Sequence, residues 1–146
     1  MKLHNIDEPL LEFGRGTHVC PRAGIESFGV YDTRLNARRD KLLIGAISTS
    51  DNLSKFAEWI DRCSKPIPQK AETAQPELFR DFCGFNRNTG FSADLVLEDE
   101  ITRSLSNSDI KNVLEIKNRE ERITAAVDLF FRQVKFLAQN RVVDVI

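Results

Sequence analysis

The sequence predicts an α/β protein, a Rossmann-like parallel sheet with flanking helices preceded by an N-terminal strand and loop segment. Three observations carry that expectation. Residues 40–48, DKLLIGAIS, form a nearly continuous apolar run of the kind buried on both faces of a parallel sheet. Residues 53–60 then place Leu53, Phe56, Ala57 and Ile60 at the spacing of an amphipathic helix, and residues 119–140 repeat that period over a greater length. Along the chain these segments alternate strand, helix, strand, helix, strand, as βαβ units do.

Taken in order, PLLEF (9–13) reads as a strand that Gly14 and Gly16 stop. Residues 13–32, FGRGTHVCPRAGIESFGVYD, hold four of the seven glycines and read as turn chemistry, since glycine reaches positive φ without penalty. After the strand at 40–48, Ser48, Thr49, Ser50 and Asp51 offer caps for a helix over NLSKFAEWIDRC, which Pro66 and Pro68 end. Residues 64–90 contain three of the five prolines and read as a long connection. FSADLVLED (91–99) is the next strand. Ser106, Asn107 and Ser108 can cap a short helix whose inward face is Ile110, Val113 and Leu114. In the helix over 119–140, Ile123, Ala126, Val127, Phe130, Val134 and Leu137 form one stripe, and the acidic residues at its front suit the helix dipole. VVDVI (142–146) begins another strand. A strand of this type is expected inside a sheet with a helix after it, so residues 1–146 read as the front of a larger protein or a domain cut short. Two segments result: 1–39, a strand and glycine-bearing connection, and 40–146, the sheet-forming part.

Bulk properties narrow the function classes. A chain of 146 residues fits one domain, and 21 basic against 22 acidic residues leave a net charge of −1. Nucleic-acid binding would therefore need a local basic patch. Cys20, Cys63 and Cys83 contain no CxxC pair, which fits reduced thiols in a cytosolic protein. The N-terminus lacks a signal-peptide core and no apolar run reaches membrane-spanning length, so a cytoplasmic location and no membrane partner are expected.

Several residue groups compete as sites. G14-R-G16 lacks both the terminal Gly-Lys-Ser/Thr of a Walker loop and the third glycine of a dinucleotide fingerprint. His4, His18 and Cys20 are the only soft-ligand cluster, with no second pair to complete a tetrahedral metal site. The segment 27–41 sets Arg34, Arg38, Arg39 and Lys41 beside Phe28 and Tyr31, a pattern that serves phosphate contact and base stacking or simply a solvated loop. STSDN (48–52) lies at a strand end and helix start, where α/β folds bind anions and where helix caps also occur. The carboxylates at 98–100 and 119–122 read as helix-end charges. No separated acidic pair or nucleophile–base pair points to catalysis, so the chain is not expected to be an enzyme.

The order of these segments resembles the start of short prokaryotic Argonautes, the forms reduced to MID and PIWI domains. The resemblance rests on FGRGTHVCPRAGI, then SFGVYD, the basic linker and KLLIGAISTSDNLSKFAEWI. PELFRDFCGF (76–85) is similar to a proline-richer family segment, with Arg80 and Cys83 where prolines are common. The resemblance implies that 40–146 is a partial MID domain, non-catalytic, which contributes to binding a small guide RNA or DNA. A complementary target strand and an APAZ-containing effector of TIR, sirtuin-like or nuclease type are the implied partners, in defence against plasmids or phage. It implies no cofactor in this segment, although intact family proteins can hold a divalent metal at the guide 5′ end. The family's 5′-phosphate pocket would lie beyond Ile146, which leaves Arg34, Arg38, Arg39 and Lys41 as the contact region. A docking module for the APAZ chain, and a small α/β enzyme using the STSDN strand end, are the other readings.

Overall fold

The computed structural model describes residues 8–35, 38–72, 74–75 and 79–146. It forms two compact units: residues 1–40 with 64–94, and residues 41–63 with 95–146. The expected division after residue 39 lies one residue from the first crossing between units. The segment 64–90, which reads as a connection in the sequence, folds with the N-terminal residues into the first unit.

In the first unit, β1 (Leu11–Glu12) and β2 (Thr17–His18) pair as an antiparallel hairpin, with Leu11 opposite His18 and Glu12 opposite Thr17. The N-terminal strand is thus a short hairpin arm. His18 Nδ1 accepts a hydrogen bond from the backbone N–H of Cys20 at 2.8 Å, which turns the chain into helix α1 (Pro21–Phe28). Pro21 opens α1 where its missing N–H is harmless, and Gly29, at φ 72°, closes it by donating to the Ile25 carbonyl. Gly24 sits inside α1 despite its poor helix propensity because a Cβ there would lie 2.2 Å from the Phe13 ring. A 3₁₀ turn follows at Tyr31–Arg34. Phe13, Ala23 and Ala93 form the buried apolar centre. Phe85 and Phe91 stack at 4.2 Å, Phe82 meets Phe91 edge-on at 6.0 Å, and Ile67 and Phe82 exchange two backbone hydrogen bonds.

The second unit is the α/β part, with short parallel strand pairs flanked by helices. Its central strand comprises β3 (Lys41–Leu43) and β4 (Ala46–Ser48). The Ile44 N–H donates to the Val96 carbonyl, and the Ser48 carbonyl accepts from Leu105. Both groups point to one side of the strand, where β5 (Asp94–Val96) and β6 (Thr102–Ser104) pair with β3 and β4 in turn. The β4–β6 ladder is parallel, with Ala46 opposite Thr102 and Ser48 opposite Ser104. On the other side Gly45 donates to the Val145 carbonyl, and Ile44 and Val145 form a parallel bridge. The expected strand at 142–146 is reduced to that bridge, and Val142, Val145 and Ile146 are exposed.

Helix α2 (Ser50–Ser64) follows β4, and Ile60 is its buried residue. Helix α3 (Asn107–Glu115) is capped by Ser106, whose Oγ accepts from the Asp109 N–H at 3.0 Å. Helix α4 (Arg119–Asn140) is capped by Asn118, and Glu120 and Glu121 in its first turn interact favourably with the helix dipole. Two packing expectations fail. Leu114, expected inward on α3, is 66% exposed. On α4 Leu137 of the expected stripe is buried, as is Leu129 outside it, while Ile123, Val127, Phe130 and Val134 of the stripe face solvent. On the packed side, Arg103 of β6 donates from Nε to Gln133 Oε1 and lies 4.5 Å over the Phe136 ring.

Candidate nucleic-acid interface

The four cations of the basic segment have separate fates. Arg34 donates to the carbonyls of Phe13 (2.8 Å) and Gly14 and to Glu12 Oε1 (2.9 Å), and its guanidinium lies 5.7 Å from the Tyr31 ring centre. Arg38 donates to Asp32 Oδ1 at 2.8 Å and to the carbonyls of Phe91 and Ser92, with only 15% of its side chain exposed. A guanidinium presents five donors in a fixed fork, and in each of these arginines three nitrogens already hold protein oxygens. Arg39 is exposed and is not without a partner. Lys41 is exposed at the start of β3, in the second unit. The cation–aromatic pattern legible in the sequence is thus partly satisfied internally, by Arg34 on Tyr31.

What Arg34 and Arg38 build is a cleft of about 680 Å³ within the first unit. One wall is the turn at the hairpin tip, where Phe13 donates to the Gly16 carbonyl, Gly14 donates to the Gly29 carbonyl, and Arg34 holds the two carbonyls just before Arg15. The other wall is the turn over residues 86–92. There Thr89 Oγ1 donates to the Gly84 carbonyl, Ser92 N–H donates to the Thr89 carbonyl, and Arg38 holds the carbonyls of Phe91 and Ser92. Val30 donates to the Gly90 carbonyl and ties the region together. Arg15, Glu26 and Asn88 line this cleft. Beside it, Arg87 bonds Asp94, and that hydrogen bond, followed by the carboxylate's charge, raises the guanidinium above the ordinary arginine range. Arg87 therefore stays charged at any physiological pH.

The remaining sequence candidates resolve as follows. His4 lies outside the described residues. The His18 ring nitrogen and the Cys20 N–H bond each other in the turn before α1. Among the described residues no three His, Cys, Asp or Glu side chains converge as a metal site would require. In the second unit the carboxyl ends of β4 and β6 adjoin the starts of α2 and α3. Ser50 Oγ and Ser104 Oγ share a hydrogen bond of 2.8 Å there, as do Ser106 and Ser108. Among the described residues, no helix is long and apolar enough to cross a membrane. Sequence reasoning passed over Arg15, which sits between Gly14 and Gly16, and Asn88, which precedes Thr89 and Gly90 in a turn-forming stretch. No protein-family model matches the chain, and no curated protein is similar to it.

Proposed function

We propose that the chain is a non-catalytic nucleic-acid-binding module, the MID portion of a short prokaryotic Argonaute, which helps hold a small guide RNA or DNA. The observation that carries this reading is the parallel strand array of the second unit, whose hydroxyl-rich carboxyl ends lead into α2 and α3. Backbone N–H groups at such positions favour phosphate, and open α/β sheets bind ligands at that edge. Lys41 begins β3 at the opposite end of the strand, so the hydroxyls and backbone N–H groups carry the proposed contact at this edge. The order of sequence motifs adds the family. Fluorescence anisotropy with a 5′-phosphorylated single-stranded oligonucleotide tests the reading. Binding that weakens about twentyfold between about 50 and about 200 mM salt, as roughly three phosphate contacts to a single strand require, supports it. No binding at low salt by a folded chain sinks it.

The exposed apolar residues of α4 favour a second reading, in which this chain docks an effector protein such as one with an APAZ module. Ile123, Val127, Phe130 and Phe131 are between 44% and 58% exposed on one helix, and contiguous apolar surface of this kind marks protein contacts. Co-purification of the effector that survives nuclease treatment but is lost in Phe131→Asp separates docking from guide binding.

A further inference from the structure

We infer that the cleft of the first unit is a binding site for a small phosphorylated ligand of nucleotide size, with Arg15 as its phosphate contact. The site is separate from the strand ends of the second unit, and the inference stands whether or not the chain binds oligonucleotides.

The first step is volume and shape. About 680 Å³ lies in the range of small-molecule pockets. Two hydrogen-bonded turns and the end of α1 line it. Arg34 and Arg38 donate to carbonyls on opposite walls, Phe13 and Gly14 on one, Phe91 and Ser92 on the other. Glycine keeps the walls thin, since a Cβ on Gly90 would stand 1.9 Å from the Ile25 carbonyl oxygen.

The second step is the inventory of polar groups at the cleft. Thr33 and Thr89 already donate their hydroxyls to protein carbonyls. Besides the Glu26 carboxylate on α1, two exposed polar side chains on the walls have no partner among the described residues: the Arg15 guanidinium and the Asn88 amide. Both stand on turns that are bonded on either side of them, because Phe13 and Gly16 close the first and Asn86 and Thr89 the second. The bonded turn fixes where the Arg15 side chain is anchored, so binding orders that side chain and not the backbone beneath it. A guanidinium with a free fork selects phosphate or carboxylate by bidentate, charge-assisted hydrogen bonds.

The third step gives the rest of the ligand. Glu26 is a carboxylate at the same cleft, and it accepts only. The Asn88 amide both donates and accepts. A ligand that matches all three carries an anion at one end and hydrogen-bond donors at the other, as a nucleoside monophosphate with an exocyclic amine does. Phe28 supplies an aromatic ring in the lining. Inorganic phosphate would satisfy Arg15 alone.

The test is isothermal titration of the full 146-residue chain with adenosine monophosphate, guanosine monophosphate, inorganic phosphate and adenosine. The expected result is saturable binding of a nucleoside monophosphate, weaker binding of phosphate and no binding of adenosine. Arg15→Ala weakens it at least about tenfold, in proportion to one charge-assisted contact, and Arg15→Gln does the same with less change in bulk. Lys55→Ala, on an exposed face of α2, leaves affinity unchanged. Arg15 holds no protein group among the described residues, so both variants should melt like the parent chain, which circular dichroism checks. Absence of nucleotide binding at millimolar concentration overturns the inference. So does binding that Arg15→Ala and Arg15→Gln leave intact, since the ligand would then sit elsewhere.

Discussion

The two units hold themselves together by different chemistry. The second uses regular structure: parallel strands, three helices and aliphatic residues such as Ile60, Ile101, Leu105, Leu129 and Leu137 in its interior. The first has little regular structure. It relies on arginine forks bonded to carbonyls, an aromatic cluster and glycines at close approaches. Apolar burial is non-directional and tolerates some repacking. Backbone carbonyls held by a guanidinium depend on single atoms, so that kind of unit should fail locally and at identifiable residues.

Substitutions can sharpen the contrast, with hydrogen exchange reporting on each unit by itself. The largest effect is expected from Leu137→Ala, which empties the most buried side chain of the second unit and should cost about 2–5 kcal/mol by denaturant unfolding. Exchange protection should fall in β3, β4 and α4. Next is Gly90→Ala, whose Cβ collides with the Ile25 carbonyl and should cost about 1–3 kcal/mol, with the loss of protection confined to the first unit. If Gly90→Ala instead exposes α4 amides, the contrast between the units is wrong. Arg38→Ala strips the donor from two carbonyls and from Asp32, and about 1–2 kcal/mol is expected, more than for the half-exposed Arg34. Smallest is Val127→Ala, within about 0.5 kcal/mol, because the residue is exposed despite its place in the predicted stripe.

Legibility follows the same division. The strand at 40–48, the helix after it and the helix at 119–140 were readable because apolar periodicity is a local signal that tertiary structure rarely reverses. Helix α1 was not read, although Pro21 and Gly29 bracket it, because Gly24 argues against a helix until the Phe13 ring beside it is known. On α4 the period found the buried Leu137 but not Leu129, because periodicity gives a stripe and not which of its residues meet the strands. At the candidate site the sequence marked the basic segment, yet charge in a row does not reveal whether a guanidinium meets a phosphate or a carbonyl. Arg15 gave no signal beyond its glycine neighbours, and Asn88 none beyond its place in a turn-forming stretch.

By itself, then, the sequence determined the α/β class, the order of most elements and the parallel character of the sheet. These are set by side-chain period and by the backbone's need for hydrogen-bond partners, both of which act over a few residues. Only the tertiary structure decided that residues 64–94 fold with residues 1–40, that Arg34 and Arg38 are clamps, and that two turns far apart in sequence enclose a cleft. Those outcomes depend on which carbonyl lies within reach of which donor, over separations such as the 53 residues between Arg38 and Phe91. No local pattern encodes that distance.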